Sequence, residues 1–184
     1  MILARIGNLL RPHLDRAAVR RIRKAFPHAR SFIDLGCGMG GIGRMLGADL
    51  VDTNPAMPDV IASTIEDFQP SRRYDVAVMS NVYEHLHRPM SSLANVRTFA
   101  DGLWMSFTPW LSPFGGHEFA PWHLFGRTNG PIHELGVNLF KTSRLSALID
   151  LDDAGWFVVG IRSRYVPWAI RNDFLLWNIE IISR

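Results

Sequence analysis

The sequence predicts an α/β fold built on a mostly parallel sheet. Two observations carry this. Residues 31–46, SFIDLGCGMGGIGRML, read as a short buried strand, a glycine-rich turn and the start of a helix. Beyond them, apolar runs of strand length alternate with helix-compatible segments, the period of a parallel sheet covered on both faces. A length of 184 residues fits one domain, 1–184, and an apolar content of 47% suffices to fill its core and argues against disorder.

In chain order, residues 1–30 read as a helical extension. Leu14, Ala17, Ala18, Ile22 and Phe26 recur at near-helical spacing, with Arg16, Arg20, Arg21, Arg23 and Lys24 interleaved. Pro12 suits a first helical turn and Pro27 closes the segment. One reading is an amphipathic helix that covers a face of the sheet. The other is a basic face that makes peripheral contact with an anionic membrane surface or an acidic substrate. Residues 1–30 hold eight Lys/Arg against the single acid Asp15, whereas the whole chain is only +3, so the remainder is net acidic.

Strand one is Phe32–Leu35, and the glycines after it permit a tight turn and close approach of a ligand. The free N–H groups of the next helix favour a polar or anionic ligand group. Leu50 and Val51 form strand two, with Asp52 at its carboxyl end, 18 residues after Asp34. An acid that far along a βαβ unit can bind two ribose hydroxyls. Pro55 and Pro58 cut short the helix that would follow. Strand three is Val60–Thr64 and strand four Tyr74–Asn81. A helix then runs from Glu84-His85-Leu86 to Phe99, and strand five spans Leu103–Pro109. A helix over Leu139–Asp150, a sixth strand over Gly155–Tyr165 and a last strand over Phe174–Ser183 complete the pattern.

The spacing D-L-G-C-G-M-G, with Asp34 two residues before Gly36, resembles motif I of the class I S-adenosylmethionine-dependent methyltransferases. YDVAVMSNVYEHLHRP, residues 74–89, resembles the motif IV region of the type 11 members of that family. The resemblance implies a Rossmann-like fold with a seven-stranded, mostly parallel sheet whose last strand is antiparallel. It implies S-adenosylmethionine as cofactor. Asp34 and the turn of Gly36, Cys37, Gly38 and Gly40 would hold the methionine end. Asp52 and Thr53 would take the ribose, Thr64, Ile65 and Glu66 the adenine, and Ser80 and Asn81 the sulfonium side.

Residues 110–138, WLSPFGGHEFAPWHLFGRTNGPIHELGVN, are too long for an ordinary connection and follow strand five at the sheet edge where α/β ligands bind. They hold His117, Glu118, His123 and His133. The GGHE…PWH stretch resembles short actinobacterial methyltransferases, some of which act on saccharides. Methyl transfer to an alcohol requires loss of its proton, and a histidine oriented by a carboxylate suits that task. His117 is the candidate base, with Glu118, His123 and His85 in support, and His85 competes for the role. The alternatives are that these histidines pack the loop, or that they bind a metal such as Mg2+; H-E-x-x-x-x-H lacks the spacing of the helical zinc motif.

The expected activity is O-methylation of a small metabolite or saccharide. N-methylation of another acceptor, or cofactor binding without catalysis, stands as the alternative. The [DNS]-P-P-[YFW] motif of amino methylation is replaced by Ser80-Asn81-Val82-Tyr83. With the acidic balance after residue 30, no nucleic-acid partner is expected. A single cysteine excludes an internal disulfide framework, no apolar run spans a membrane, and no signal-peptide pattern opens the chain, so a cytoplasmic location is expected. Oligomeric state leaves no mark in the sequence.

Overall fold

The computed structural model describes residues 2–55, 57–113, 115, 124, 141–165 and 176–184, with backbone alone for residues 2–11, 165, 176 and 177. Seven strands form one sheet: β1 Phe32–Leu35, β2 Asp49–Asp52, β3 Val60–Ala62, β4 Tyr74–Ser80, β5 Ala100–Phe107, β6 Val158–Tyr165 and β7 Leu176–Ser183. Their order is β3-β2-β1-β4-β5-β7-β6. The pairs from β3 through β5 are parallel, and β7 lies antiparallel to both β5 and β6, as expected for the last strand.

β1, β4 and β5 are buried on both faces, which is why they read as continuous apolar runs. Alternation divides their side chains between two layers. Val76, Val78 and Trp104 face α1 (Ile2–Ala25) and α2 (Gly41–Leu46), where Ala18, Ile22, Phe26, Ile42 and Leu46 meet them. Ala77, Met79, Leu103 and Met105 face α3 (Pro89–Phe99) and α4 (Arg144–Asp153), where Leu93, Val96, Phe99, Ala147 and Leu151 are buried. Full burial of a side chain such as Ile22 contributes about 1.5–3 kcal/mol. Gly102 lets α1 close on the sheet, since a Cβ there would stand 2.6 Å from Phe26 Cε1.

Several boundaries differ from expectation, each for a local reason. α1 does not begin at Pro12 but runs through it and ends at Ala25. A proline kinks a helix without ending it when the preceding turns are otherwise satisfied. β3 stops at Ala62 because Thr64 turns back on itself, its hydroxyl donating to Asp67. The helix expected from Glu84 to Phe99 is two pieces: a 3-10 turn at Tyr83–His85 and then α3. Leu86 is extended, and Pro89 enters at the first turn of α3, so the residues before it leave the α region. β5 begins earlier than Leu103, at Ala100, directly after α3. α4 begins at Arg144, not Leu139, because Ser143 and Ser146 form a capping box, with Ser146 N–H to Ser143 Oγ at 3.0 Å. Residues 139 and 140 lie outside the described residues. β6 starts at Val158, three residues after Gly155, whose φ of 78° ends α4.

Candidate active site

The strand order reverses direction between β1 and β4, so a crevice opens at their carboxyl ends. The glycine turn lies there. Gly36, Gly38 and Gly40 have φ of 69°, 52° and 71°, which side chains other than glycine rarely adopt. Gly36 and Cys37 N–H both donate to Val51 C=O, at 2.8 and 3.0 Å, which ties the turn to β2. A Cβ at Gly36 would stand 2.6 Å from Val82 Cγ2, whereas a Cβ at Gly38 would meet nothing within 4 Å. The turn is therefore packed on its β4 side and open at Gly38. An open cradle of this kind fits a ligand whose atoms approach the backbone closely.

Asp34 lies beneath the turn, 3% exposed, and its Oδ2 accepts from Gly43 N–H at 2.9 Å. Burial pushes its carboxyl up to about 7, and the nearby Asp15 and Asp52 add to the effect against the Gly43 hydrogen bond. A bound cation would favour its ionised form. Asp52 stands at the end of β2 and closes the turn from the other side. Its Oδ2 accepts from Gly38 N–H at 2.8 Å and its Oδ1 from Asn54 N–H at 2.9 Å. Thr53 beside it is exposed. Cys37 is half-buried, and burial followed by Asp34 and Asp52 pushes its thiol up to about 11. The shift holds the thiol in its neutral form at neutral pH.

After β3, Ile65 is buried and the turn is held by α3. Asn95 Nδ2 donates to Ile65 C=O at 2.7 Å and to Phe68 C=O at 3.0 Å, and Ser92 Oγ donates to Glu66. Thr64 spends its hydroxyl on Asp67. The side chains of Thr64 and Glu66 thus brace the turn. Neither Ser92 nor Asn95 was singled out from the sequence, where polar residues on a helix carry no distinguishing signal.

At the end of β4, Ser80 Oγ stands 3.4 Å from Ser106 Oγ. Asn81, with φ 55°, is the only non-glycine of positive φ among the described residues. Asparagine tolerates this conformation better than other side chains. Its N–H donates to Ser106 C=O at 2.7 Å and its Oδ1 accepts from Asn178 Nδ2 at 3.3 Å. This reversal carries Val82 onto Gly36, and half-buried His85 follows in the 3-10 turn. Tyr83 Oη fastens that turn to α4 through Asp150 Oδ2 at 2.5 Å. The two sequence motifs therefore meet in space.

Glu84, fully buried, accepts from Thr108 N–H at 3.3 Å and so joins the same turn to the chain leaving β5. Trp110 N–H donates to Thr142 C=O at 2.8 Å, so the long segment leaves and returns at one stem. Gly115 packs on Pro109 C=O too closely to admit a Cβ. His117, Glu118, His123 and His133 lie outside the described residues. Asp15 was also missed by the sequence reading: a Cβ at Gly41 would collide with its Oδ2. Its signal was charge, as the only acid among the first thirty residues.

A family model described as "Methyltransferase domain" matches residues 9–156. The chain belongs to this methyltransferase family. An uncharacterized methyltransferase of Mycobacteroides abscessus is 30% identical over 109 residues, 52% of this chain and 42% of the relative. The chain thus spans about half or less of the length of these relatives, 51% in the case of a similar one from Mycobacterium marinum. Among solved structures, the 1,6-didemethyltoxoflavin-N1-methyltransferase of Burkholderia thailandensis, with its substrate and S-adenosylhomocysteine bound, superposes with TM-score 0.64 at 14% identity. It covers 92% of this chain and 77% of that one. The N-terminal domain of EvdMO1, in the presence of S-adenosylhomocysteine and D-fucose, gives 0.62 at 18% identity, with 92% and 82% covered. The fold is the Rossmann-like α/β fold of S-adenosylmethionine methyltransferases.

Proposed function

We propose that the protein O-methylates a hydroxyl of a small metabolite or saccharide, with S-adenosylmethionine as donor and a histidine as general base. The observation that carries this is the convergence of three segments at one crevice. The open glycine turn, the Asn81–His85 reversal and the stem of the 110–142 segment are joined there through Val82–Gly36 and Glu84–Thr108. The cofactor supplies an electrophilic methyl group on a sulfonium. Gly36, Cys37, Gly38 and Gly40 offer backbone to its methionine end, with Asp34 below as counter-charge. Asp52, with Thr53 beside it, has two carboxylate oxygens at the open side of the turn and suits a ribose diol. Thr64, Ile65 and Glu66 would hold the adenine, and Ser80 and Asn81 the sulfonium side.

His117, which the sequence places between the two ends of that stem, takes the acceptor's proton, and Glu118, His123 and His85 support it. The saccharide preference draws on the D-fucose in the EvdMO1 structure. The test is transfer of labelled methyl from S-adenosylmethionine to panels of hydroxyl, amine and carboxyl acceptors, with and without EDTA. Label on hydroxyl acceptors supports the reading, and label on amines alone overturns it. His117→Ala is expected to lower turnover about 10²–10⁴-fold with cofactor affinity unchanged. If that loss follows His85→Ala instead, His85 is the base. If EDTA abolishes turnover and Mg2+ restores it, a metal activates the acceptor.

A further inference from the structure

α1 carries two registers of side chains. Ala18, Ile22 and Phe26 are buried against the sheet. His13, Arg16, Arg20 and Lys24 recur every three or four residues and are exposed. Arg20 and Ile22 are two positions apart, about 200° around a helix, so the two registers lie on opposite sides. Arg21, on neither, is committed to Glu180 at 2.7 Å. Continued toward the N-terminus, the outward repeat passes through Leu9, Ile6 and Ile2 in the sequence, and the backbone is helical from Ile2. The spacing that is basic and exposed from His13 to Lys24 is thus apolar before it in the sequence.

The position of the helix gives this a direction. Asp15 abuts Gly41, the first residue after the glycine turn, while Phe26 abuts Gly102 near the start of β5. α1 therefore runs from the carboxyl edge of the sheet toward its amino edge. The helical turns before Asp15, Ile2–Leu14, extend about 20 Å at 1.5 Å per residue beyond the point where α1 meets the crevice edge.

We infer that the outward register of α1 docks the protein on an anionic lipid surface. Ile2, Ile6 and Leu9 would enter the headgroup boundary, and His13, Arg16, Arg20 and Lys24 would lie over the anionic headgroups. Charge complementarity is the argument: a helix rich in arginine that leads with apolar residues fits the plane of a bilayer surface. Among the described residues no helix is long and apolar enough to cross a membrane, which fits a helix that lies on one. Docking of this kind holds the crevice edge toward the lipid. Resting on the methyltransferase reading, it makes the acceptor a hydroxyl-bearing molecule of the headgroup layer.

Co-sedimentation of the full chain with phosphatidylcholine vesicles, with and without phosphatidylglycerol, tests this at low and high salt. Binding is expected only with phosphatidylglycerol and is expected to weaken with salt. Each basic residue near an anionic surface contributes about fivefold, so the combined Arg16→Gln, Arg20→Gln, Lys24→Gln variant should bind about a hundredfold more weakly. A second variant, Ile6→Ser with Leu9→Ser, should also lose binding, and thermal melts of both check that they fold. Absence of wild-type binding to phosphatidylglycerol vesicles at low salt overturns the inference. So does equal binding by the charge variant, or a dimer in solution that the Ile6/Leu9 variant dissociates. Calorimetric binding of S-adenosylhomocysteine, measured on the same preparation, reports separately on the methyltransferase reading.

Discussion

Asp34 is a carboxyl group, 3% exposed, that among the described residues accepts from Gly43 N–H. Its rise from 3.8 to about 7 on folding means that the folded state holds the proton more tightly than the unfolded chain does. By linkage, its contribution to stability is intact below the unfolded value and is lost as pH climbs toward 7, on the order of 4 kcal/mol in all. Asp34→Asn keeps an acceptor for Gly43 N–H and removes the titration. Urea unfolding at pH 5 and pH 8 should show the variant gaining on the wild type by roughly 2–3 kcal/mol at the higher pH; parallel behaviour would remove Asp34 as the source. The two turn glycines should separate packing from binding. Gly36→Ala meets Val82 and should destabilise the fold by about 1–3 kcal/mol or more. Gly38→Ala has room for its methyl and should cost only about 1 kcal/mol, yet lower S-adenosylhomocysteine affinity at least about tenfold by filling the open face. Equal losses of stability and binding in both variants would argue against a ligand cradle.

At the scale of elements, the termini of helices were the hardest features to read. The EHL triplet followed by apolar positions looks like one helix, but Leu86 is extended and Pro89 restarts the chain as α3. The break places His85 on a short 3-10 turn instead of on a long helix. The capping box at Ser143 uses Ser146 where the familiar pattern has Glu or Gln, so it left little trace in the sequence. Tertiary ties between elements were invisible. Glu180 on β7, 4% exposed, joins Arg21 of α1 at 2.7 Å and Arg164 of β6. Glu180→Gln leaves two guanidinium groups without their shared carboxylate and should destabilise the protein by roughly 3 kcal/mol, since breaking a buried pair exposes the cost of the remaining charge. A denaturation midpoint unchanged from wild type would show the pair to be neutral.

For the whole molecule, the sheet was legible because parallel strands buried on both sides announce themselves as apolar runs, as in β1, β4 and β5. The glycine turn was legible because turn chemistry constrains sequence tightly: positive φ at Gly36, Gly38 and Gly40 favours glycine. The 110–138 segment was not, since a long stretch rich in Gly, Pro, Trp and His has no period that dictates a fold. What the described residues add is the convergence of the glycine turn, the Asn81 reversal and the 110–142 stem. The most direct measurement of that account is calorimetric titration with S-adenosylhomocysteine of the wild type and of Asp52→Ala, both shown folded by thermal melting. Hydrogen bonds to a charged group contribute about 1.5–3 kcal/mol, so the wild type should bind and Asp52→Ala should bind at least about tenfold more weakly. A wild type without measurable binding, or a variant of equal affinity, would contradict it.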